Sequence, residues 1–230
     1  MKLAELLTGL VEISAHDASK VAGLEISGLA LDSRAVTAGN LFIALAGSKQ
    51  HGLLHIDEVI LQGAKAALFD TTDDGTRYAE KITGIPLIPV ERLGFVLGGL
   101  ASRFYANPSK HLDVIGITGT NGKTSCSQFL GQALDDCGII GTLGWGTWGQ
   151  LGKTINTTPD VLNVQQILAE FVKAKKKAVA MEVSSHGLDQ GRINGVQFKG
   201  AVFTNISRDH LDYHGTMKAY LDAKLKLLQM

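Results

Sequence analysis

Cysteine is nearly absent: Cys126 and Cys137 are the two in 230 residues. Both fall in one stretch that reads as a helix, too far apart along it to be bridged or to pair on a metal. A disulfide framework is therefore not expected, and a reducing cytoplasm fits. Net charge is absent too, because 22 Lys and Arg balance 22 Asp and Glu. No overall field favours nucleic acid or an anionic membrane surface, so any phosphate must be held locally. Long apolar runs are also missing, and no stretch approaches about 18 uninterrupted apolar residues. At the N-terminus, MKLAELLTGLVEIS carries Glu5 and Glu12 inside its apolar pattern, which spoils a signal-peptide core and predicts an amphipathic first helix. There is no fixed-period repeat and no low-complexity tract. What remains, 45% hydrophobic and 19% charged, is the composition of a soluble globular chain with room for one large or two modest domains.

The chemistry concentrates in Gly116-Ile-Thr-Gly119-Thr-Asn-Gly122-Lys123-Thr124. Before it, Asp113 to Thr118 is a short apolar, β-branched run of the kind that fills a buried parallel strand. After it, Lys123 to Cys137 has helical spacing, with Phe129, Leu130, Ala133 and Leu134 on one side and Gly138 placed as a C-terminal cap. Strand, glycines and helix stand in the order of a phosphate cradle. Backbone N–H groups at the helix N-terminus point at an anion, the glycines allow close approach, Lys123 neutralises terminal phosphates, and the Thr124 hydroxyl is placed to ligate Mg²⁺. The general P-loop pattern would put glycine at position 117, where this chain has Ile117. Nucleotide binding is expected, and the loop alone does not choose a reaction.

In chain order, Leu24 to Asp32 and Leu41 to Leu45 read as strands joined by a turn-rich segment, with Ser33 and Arg34 at the first strand's end. A polar loop, Gly47 to Gly52, precedes a helix from Leu54 to Gln62. A strand at Lys65 to Asp70, an acidic turn through Asp73 to Gly75 and a strand at Ile85 to Val90 complete a small α/β unit. Glu91 to Tyr105 has helical spacing and is ended by Asn107-Pro108, which suits a connector packed on the following domain. The boundary is placed near Val90, with Pro108 a close second.

Beyond the loop, the glycine-rich Gly138 to Gly152 stretch, which holds Trp145 and Trp148, gives no clear pattern. Thr158 and Pro159 suit the N-cap and first position of a helix running to Lys176. The threonines of Asn156-Thr157-Thr158 either cap that helix or hold a polar or anionic substrate group there. Lys177 to Val183 reads as a buried strand that ends in Glu182. A glutamate closing an apolar strand is costly to bury unless paired or metal-bound, which favours a Mg²⁺ ligand. Gly200 to Ser207 is the next strand and delivers Asp209 to Gly215 to the same carboxyl edge, where ligands of open α/β sheets collect. His210 and His214 are spaced like a zinc pair on a helix, but no HExxH glutamate accompanies them and Gly215 follows at once, so a loop is expected. Thr216 to Met230 reads as a helix on which Lys224 has, by pattern, the place of a solvated lysine.

These stretches together resemble the Mur ligases of peptidoglycan synthesis, most particularly those that add the third amino acid to a UDP-N-acetylmuramoyl-dipeptide. The resemblance rests on LDSRAVTAGNLFIALAG (31–47), GITGTNGKT (116–124), NTTPD (156–160), MEVSSHGLDQGRI (181–193) and TNISRDHLDYHGT through AYLDAK (204–224). It implies an α/β chain in which residues 1–90 form a small UDP-substrate-binding domain. Residues 91–230 would form an incomplete, P-loop NTPase-like central domain with a mainly parallel sheet. The C-terminal domain that completes the ATP site would be absent, and the chain alone inactive. The implied reaction is ATP-driven amide ligation on UDP-MurNAc-L-Ala-D-Glu. The substrate carboxylate takes the γ-phosphate to give an acyl phosphate, and an amino acid amine, expected to be that of meso-diaminopimelate, displaces phosphate.

Carried onto this sequence, the resemblance implies ATP binding by Gly119, Thr120, Asn121, Gly122, Lys123, Thr124 and Ser125. It implies two Mg²⁺ ions, with Thr124 and Glu182 on the nucleotide ion and His210 and a carbamylated Lys224 on the second. Lys123, His210 and Lys224 would be the catalytic groups. Leu31, Ser33, Ser48, Lys49 and Gln50 would lie on the uridine side, while Asn156, Thr157, Thr158, Ser184, Gln190 and Arg192 would hold sugar and peptide. A cytoplasmic monomer is implied, with no nucleic acid and no membrane insertion. The same loop occurs in folylpolyglutamate synthases, and a P-loop switch module would share it as well; use of a uridine-bearing ligand separates both from the ligase reading.

Overall fold

Apolar, β-branched runs between polar turns become two mainly parallel sheets, one in each of two units, Met1–Phe104 and Tyr105–Met230. The computed structural model describes residues 1–47, 50–154 and 156–230.

In the first unit the elements run α1 (Leu3–Leu7), α2 (Ala15–Val21), β1 (Gly28–Ala30), a 3₁₀ turn (Ser33–Ala35), β2 (Asn40–Ala44), a 3₁₀ turn (Gly52–His55), α3 (Ile56–Leu61), β3 (Ala66–Asp70), α4 (Gly75–Ala79), β4 (Leu87–Val90) and α5 (Leu93–Phe104). The four strands lie parallel in the order β1-β2-β3-β4. Every residue of β2 and β3 is buried, as expected of central parallel strands covered on both faces. Phe42, Ala44, Leu53, Ile56, Val59 and Phe69 form much of the core.

Several expectations are corrected here. The first helix is one short segment, because Gly9 turns the chain at φ +70°. A second helix, α2, then starts at Ser14, whose hydroxyl accepts from the Asp17 N–H. The strand expected over 24–32 shrinks to Gly28–Ala30 because Leu24 and Ile26 pair their backbones with Met1 and Leu3 instead. The acidic turn at Asp73 leads into α4, which no apolar pattern announced.

Helix α5 falls in the first unit, whose own elements hold both of its ends. The Asp70 carboxylate accepts from the Leu93 N–H at 2.9 Å, which ties the start of α5 to the end of β3. Near its other end, Arg103 donates to the carbonyls of Leu6 (2.8 Å) and Thr8 just beyond α1. The division therefore follows Phe104 rather than Val90.

In the second unit a 3₁₀ turn (Pro108–His111) leads into β5 (Asp113–Thr118), α6 (Lys123–Ala133), β6 (Cys137–Gly141), β7 (Gly144–Thr147), β8 (Gln150–Gly152), α7 (Val161–Lys173), β9 (Ala178–Glu182), α8 (Ser185–Asp189), β10 (Gly200–Phe203), α9 (Leu211–His214), α10 (Met217–Leu225) and a 3₁₀ turn (Lys226–Gln229). The sheet order is β10-β5-β9-β6-β7-β8, parallel through β6 and antiparallel beyond it. Leu168, Phe171, Val179, Met181 and Val183 fill the space on the α7 side.

The unpatterned glycine-rich stretch is the β6-β7-β8 meander. Helix α6 stops at Ala133, so Cys137 lies in a strand and not in the helix with Cys126. Gly138 is a strand residue in close packing rather than a helix cap: a Cβ there would stand 2.7 Å from the Phe171 ring. On α6 the buried residue is Ser127, while Phe129 is 68% exposed. The cap of α7 is Asp160, which accepts from the Leu162 and Asn163 N–H groups at 3.0 Å, and the helix ends at Lys173. That frees Thr158 from capping. The strand before the histidines ends at Phe203, and the expected loop over 210–214 contains the single turn α9, entered through His210 at φ +49°. Among the described residues no helix is long and apolar enough to cross a membrane.

Asp70 is 6% exposed, and its carboxylate also accepts from the Thr72 N–H and hydroxyl at 3.0 and 2.8 Å. Replacing Asp70 with Ala leaves the buried Leu93 N–H without its acceptor. The expected loss, read by chemical denaturation, is about 1–3 kcal/mol, and an unchanged midpoint would contradict the tie between β3 and α5.

Candidate functional site

The carboxyl ends of β5, β9 and β10 lie side by side, since Ile117 is in register with Glu182 and Thr118 with Phe203. The polar residues that follow these strands therefore gather at one edge, as the sequence predicted. Glu182 sits at the centre with no exposed surface. Its Oε2 accepts from the Thr124 hydroxyl at 2.9 Å and the Thr142 hydroxyl at 3.1 Å. Its Oε1 accepts from the Thr142 N–H at 3.1 Å and the Ser127 hydroxyl at 3.3 Å. Four donors around one carboxylate offset much of the cost of removing it from water. The contact also explains Gly141: a Cβ there would stand 2.1 Å from Oε1.

The glycine-rich loop runs from Gly119 to Gly122, at φ +140° and +83°, a region that suits glycine. A Cβ on Gly119 would lie 2.0 Å from the Thr204 hydroxyl. No side chain caps the N-terminus of α6, so its first N–H groups are left for a ligand. Asn205 braces the loop: its carbonyl accepts from the Thr120 N–H at 2.9 Å and its side chain accepts from the Asn121 N–H at 3.1 Å. Ser125 is exposed on the first turn of α6.

Lys123 folds onto its own loop, with Nζ donating to the Gly119 and Thr120 carbonyls at 2.9 and 3.0 Å. Lys224, on α10, donates to the same Gly119 carbonyl at 2.7 Å and lies 4.6 Å over the Tyr220 ring. At 1% exposure Lys224 is buried rather than solvated. Burial, reinforced by Lys123 and opposed by Asp209, pushes its ammonium down to about 8. Burial also lowers Lys123, against the pull of Glu182 and Asp209.

The Asn156-Thr157-Thr158 segment reaches Glu182 indirectly, through Thr142 and through the Glu182 backbone carbonyl. Thr157 and Thr142 hydroxyls are 3.0 Å apart. Thr158 is fully buried, its hydroxyl 3.1 Å from both the Glu182 carbonyl and the Ser184 hydroxyl. Ser184 in turn caps α8 by accepting from the Gly187 N–H at 3.0 Å. Arg192 donates through Nε and Nη2 to Gln190 Oε1 at 2.9 and 2.6 Å, and through Nη1 to the Thr158 carbonyl at 2.9 Å. Asn156 is exposed, its carbonyl accepting from the Thr154 hydroxyl.

His210 does not join Thr124 and Glu182. It pairs weakly with Asp209 and packs its ring 4.9 Å from His186 and 6.0 Å from Tyr220, in a cluster that includes Tyr213 and His214. Burial lowers the pKa of His186, and the nearby His210 and His214 lower it further. Among the described residues no group of three or more His, Cys, Asp and Glu side chains is placed to hold a metal ion.

In the first unit Leu31 and the buried Ser33 follow β1, and Gln50, beside His55, lies in the loop after its neighbour β2. Ser48 and Lys49 fall outside the described residues. His51 ties the end of this loop to β3. Its Nδ1 accepts from the Leu53 N–H at 3.1 Å, so Nε2 carries the proton and donates to the Asp70 carbonyl at 2.9 Å.

Sequence reasoning missed Ser127 and Thr142 on Glu182, Asn205 under the loop, and Tyr220, whose hydroxyl is 3.1 Å from that of Thr120. One signal was available: Ser127 lies one turn after Thr124 on α6.

The depressed Lys224 sets a sign for stability against pH. The unfolded chain holds that proton up to the ordinary lysine range, while the folded chain gives it up near 8. Burial of the charged form is thus a penalty below pH 8, relieved as pH rises toward 10.5. Against Lys224→Met, the wild type is expected to gain up to about 3 kcal/mol across that window in urea denaturation; parallel stability curves would contradict the buried ammonium.

Two family profiles match the chain: "Mur ligase family, catalytic domain" over residues 25–105 and "Mur ligase middle domain" over 117–230. A curated relative from Ectopseudomonas mendocina, UDP-N-acetylmuramoyl-L-alanyl-D-glutamate--2,6-diaminopimelate ligase, is 52% identical over 209 residues, covering 89% of this chain and 42% of its own length. The protein of that name from Coxiella burnetii is 48% identical over 222 residues, covering 94% and 45%. A solved structure of a ligase of the same name superposes with a TM-score of 0.77 at 31% identity, over 100% of this chain and 45% of that one. The chain thus spans under half the length of these relatives. With both profiles matched in sequence order and the fold shared across its whole length, the chain belongs to the Mur ligase family, whose N-terminal and middle domains it carries and whose MurE members it matches at about half its positions.

Proposed function

We propose that this chain supplies the nucleotide-sugar and ATP sites of a MurE-type ligase. That enzyme would add meso-diaminopimelate to UDP-MurNAc-L-Ala-D-Glu through an acyl phosphate, in the cytoplasm where the precursor is made. The observation that carries the reading is the shared carboxylate: Glu182 touches the phosphate-cradle residue Thr124 directly and the 157–158 segment through Thr142 and its own carbonyl. A ligase needs such proximity, because the carboxyl group to be activated must lie in line with the γ-phosphate.

In this reading Gly119 to Ser125 cradle the triphosphate, and Lys123 leaves the loop carbonyls to meet the terminal phosphates. Thr124 and Glu182 offer hard oxygen donors 2.9 Å apart, which suits Mg²⁺, an ion that takes few protein ligands and completes its shell with phosphate and water. Mg²⁺ bound there would supply charge compensation for the transferring phosphoryl group. The low pKa of Lys224 leaves part of its amine neutral near pH 8, which supports a carbamate that, with His210, would serve a second ion. Asn156, Thr157, Thr158, Ser184, Gln190 and Arg192 would hold sugar and peptide, with the Arg192 fork exchanging its Gln190 partner for a carboxylate or phosphate. Leu31, Ser33 and the 48–50 loop would take the uridine.

Thermal denaturation with UDP-MurNAc-L-Ala-D-Glu tests the reading. At a ligand concentration 100 times Kd the expected stabilisation is about 2.7 kcal/mol, and MurNAc-dipeptide lacking UDP should give a much smaller shift. A shift with Mg·ATP and none that depends on uridine would overturn the ligase reading in favour of a folylpolyglutamate synthase-like enzyme or a nucleotide switch.

A further inference from the structure

Thr142 stands outside the phosphate loop and outside the 156–158 segment, yet it bonds to both sides of the site. It follows β6 directly, where Gly141 leaves room for the Glu182 carboxylate, and it is exposed at the turn into β7. A threonine hydroxyl has one proton and two acceptor sites. At 3.1 Å from Glu182 Oε2 the Thr142 hydroxyl must donate, because an ionised carboxylate only accepts. Its proton is then committed, so across the 3.0 Å contact the Thr157 hydroxyl must be the donor. The hydroxyls form a directed chain from Thr157 through Thr142 to Glu182, with the Thr157 proton pointing inward.

Glu182 Oε2 accepts from Thr124 as well as from Thr142, so a cation bound beside Thr124 would replace the Thr124 proton on that oxygen and weaken it as an acceptor for the Thr142 proton. With that acceptor weakened, the balance moves toward the reverse arrangement: Thr142 donates to Thr157, and the Thr157 proton points outward to an acceptor oxygen on a ligand. The chain thus has two discrete arrangements that ligands on opposite sides of the carboxylate bias in the same sense.

We propose that Thr142 is a positioning residue whose hydroxyl couples nucleotide–metal binding at Thr124 and Glu182 to the donor state of Thr157, so that each ligand strengthens the other. The inference rests on the ligase reading above and deepens it, naming a residue that touches neither ligand. Its chemical demand on the second ligand is a carbonyl or carboxylate oxygen within reach of Thr157. Coupling is reciprocal by linkage.

The test is calorimetric titration of this chain with a non-hydrolysable ATP analogue and Mg²⁺, without and with saturating UDP-MurNAc-L-Ala-D-Glu. For wild type the analogue is expected to bind about fivefold more tightly when the sugar ligand is present. Thr142→Val, which keeps the shape and removes the hydroxyl, should bring that ratio to about one, whatever it does to either affinity alone, while Thr142→Ser should keep it. A Thr142→Val ratio equal to wild type, or a wild type that binds both ligands independently, overturns the coupling and leaves the ligase reading standing. Failure of wild type to bind the sugar ligand at all removes the reading, and the coupling with it.

Discussion

A carboxylate with no exposed surface at the end of a parallel strand is the constraint that the rest of the second unit satisfies. Removing a charge from water costs several kcal/mol even after relaxation, and Glu182 meets that cost with three hydroxyls and one backbone N–H drawn from two separate segments, α6 and the turn after β6. Each donor fixes something nearby. Thr124 and Ser127 set the rotation of α6 and hence the aim of its N-terminus. Thr142 sets the turn out of β6, and its glycine neighbour exists because the carboxylate lies where a Cβ would be. The Glu182 carbonyl, through Thr158, holds the segment that precedes α7.

A second feature is the convergence of two lysines on one carbonyl. Lys123 and Lys224 both donate to Gly119, and burial, reinforced by the Lys123 charge, depresses Lys224. Two ammonium groups on one acceptor is an arrangement that a bound anion, or neutralisation of one amine, would relieve. The phosphate cradle is therefore poised toward anion binding by its own electrostatics as well as by helix geometry.

Much of this was legible in the sequence where the information is local. β5, the loop and the start of α6 follow from an apolar run, glycines and a lysine in order, and β5 spans the expected residues. Glu182 was legible because a glutamate has no business closing a buried strand without partners. The limits arose where distant segments decide. Cys137 looks helical from its neighbours and is a strand residue because β9 is there to pair with it. Thr158 has the sequence of a cap, and Asp160 takes the role because Thr158 is drawn to Ser184 and the Glu182 carbonyl. Lys224 reads as solvated from its helix alone, and its burial comes from a loop more than a hundred positions away. Family resemblance flagged it where pattern could not. Thr142 and Asn205 carry no signal in a single sequence, since their importance lies in contacts with the loop and the carboxylate.

The central claim is that one carboxylate organises both the phosphate loop and the 156–158 segment. Hydrogen exchange of Glu182→Ala against wild type tests it most directly, read at the amides of residues 119–127, 142 and 157–158. The account predicts faster exchange in all three segments together, with the first unit unchanged. Faster exchange confined to residues next to position 182, with the loop and the 157–158 amides as protected as before, would contradict it.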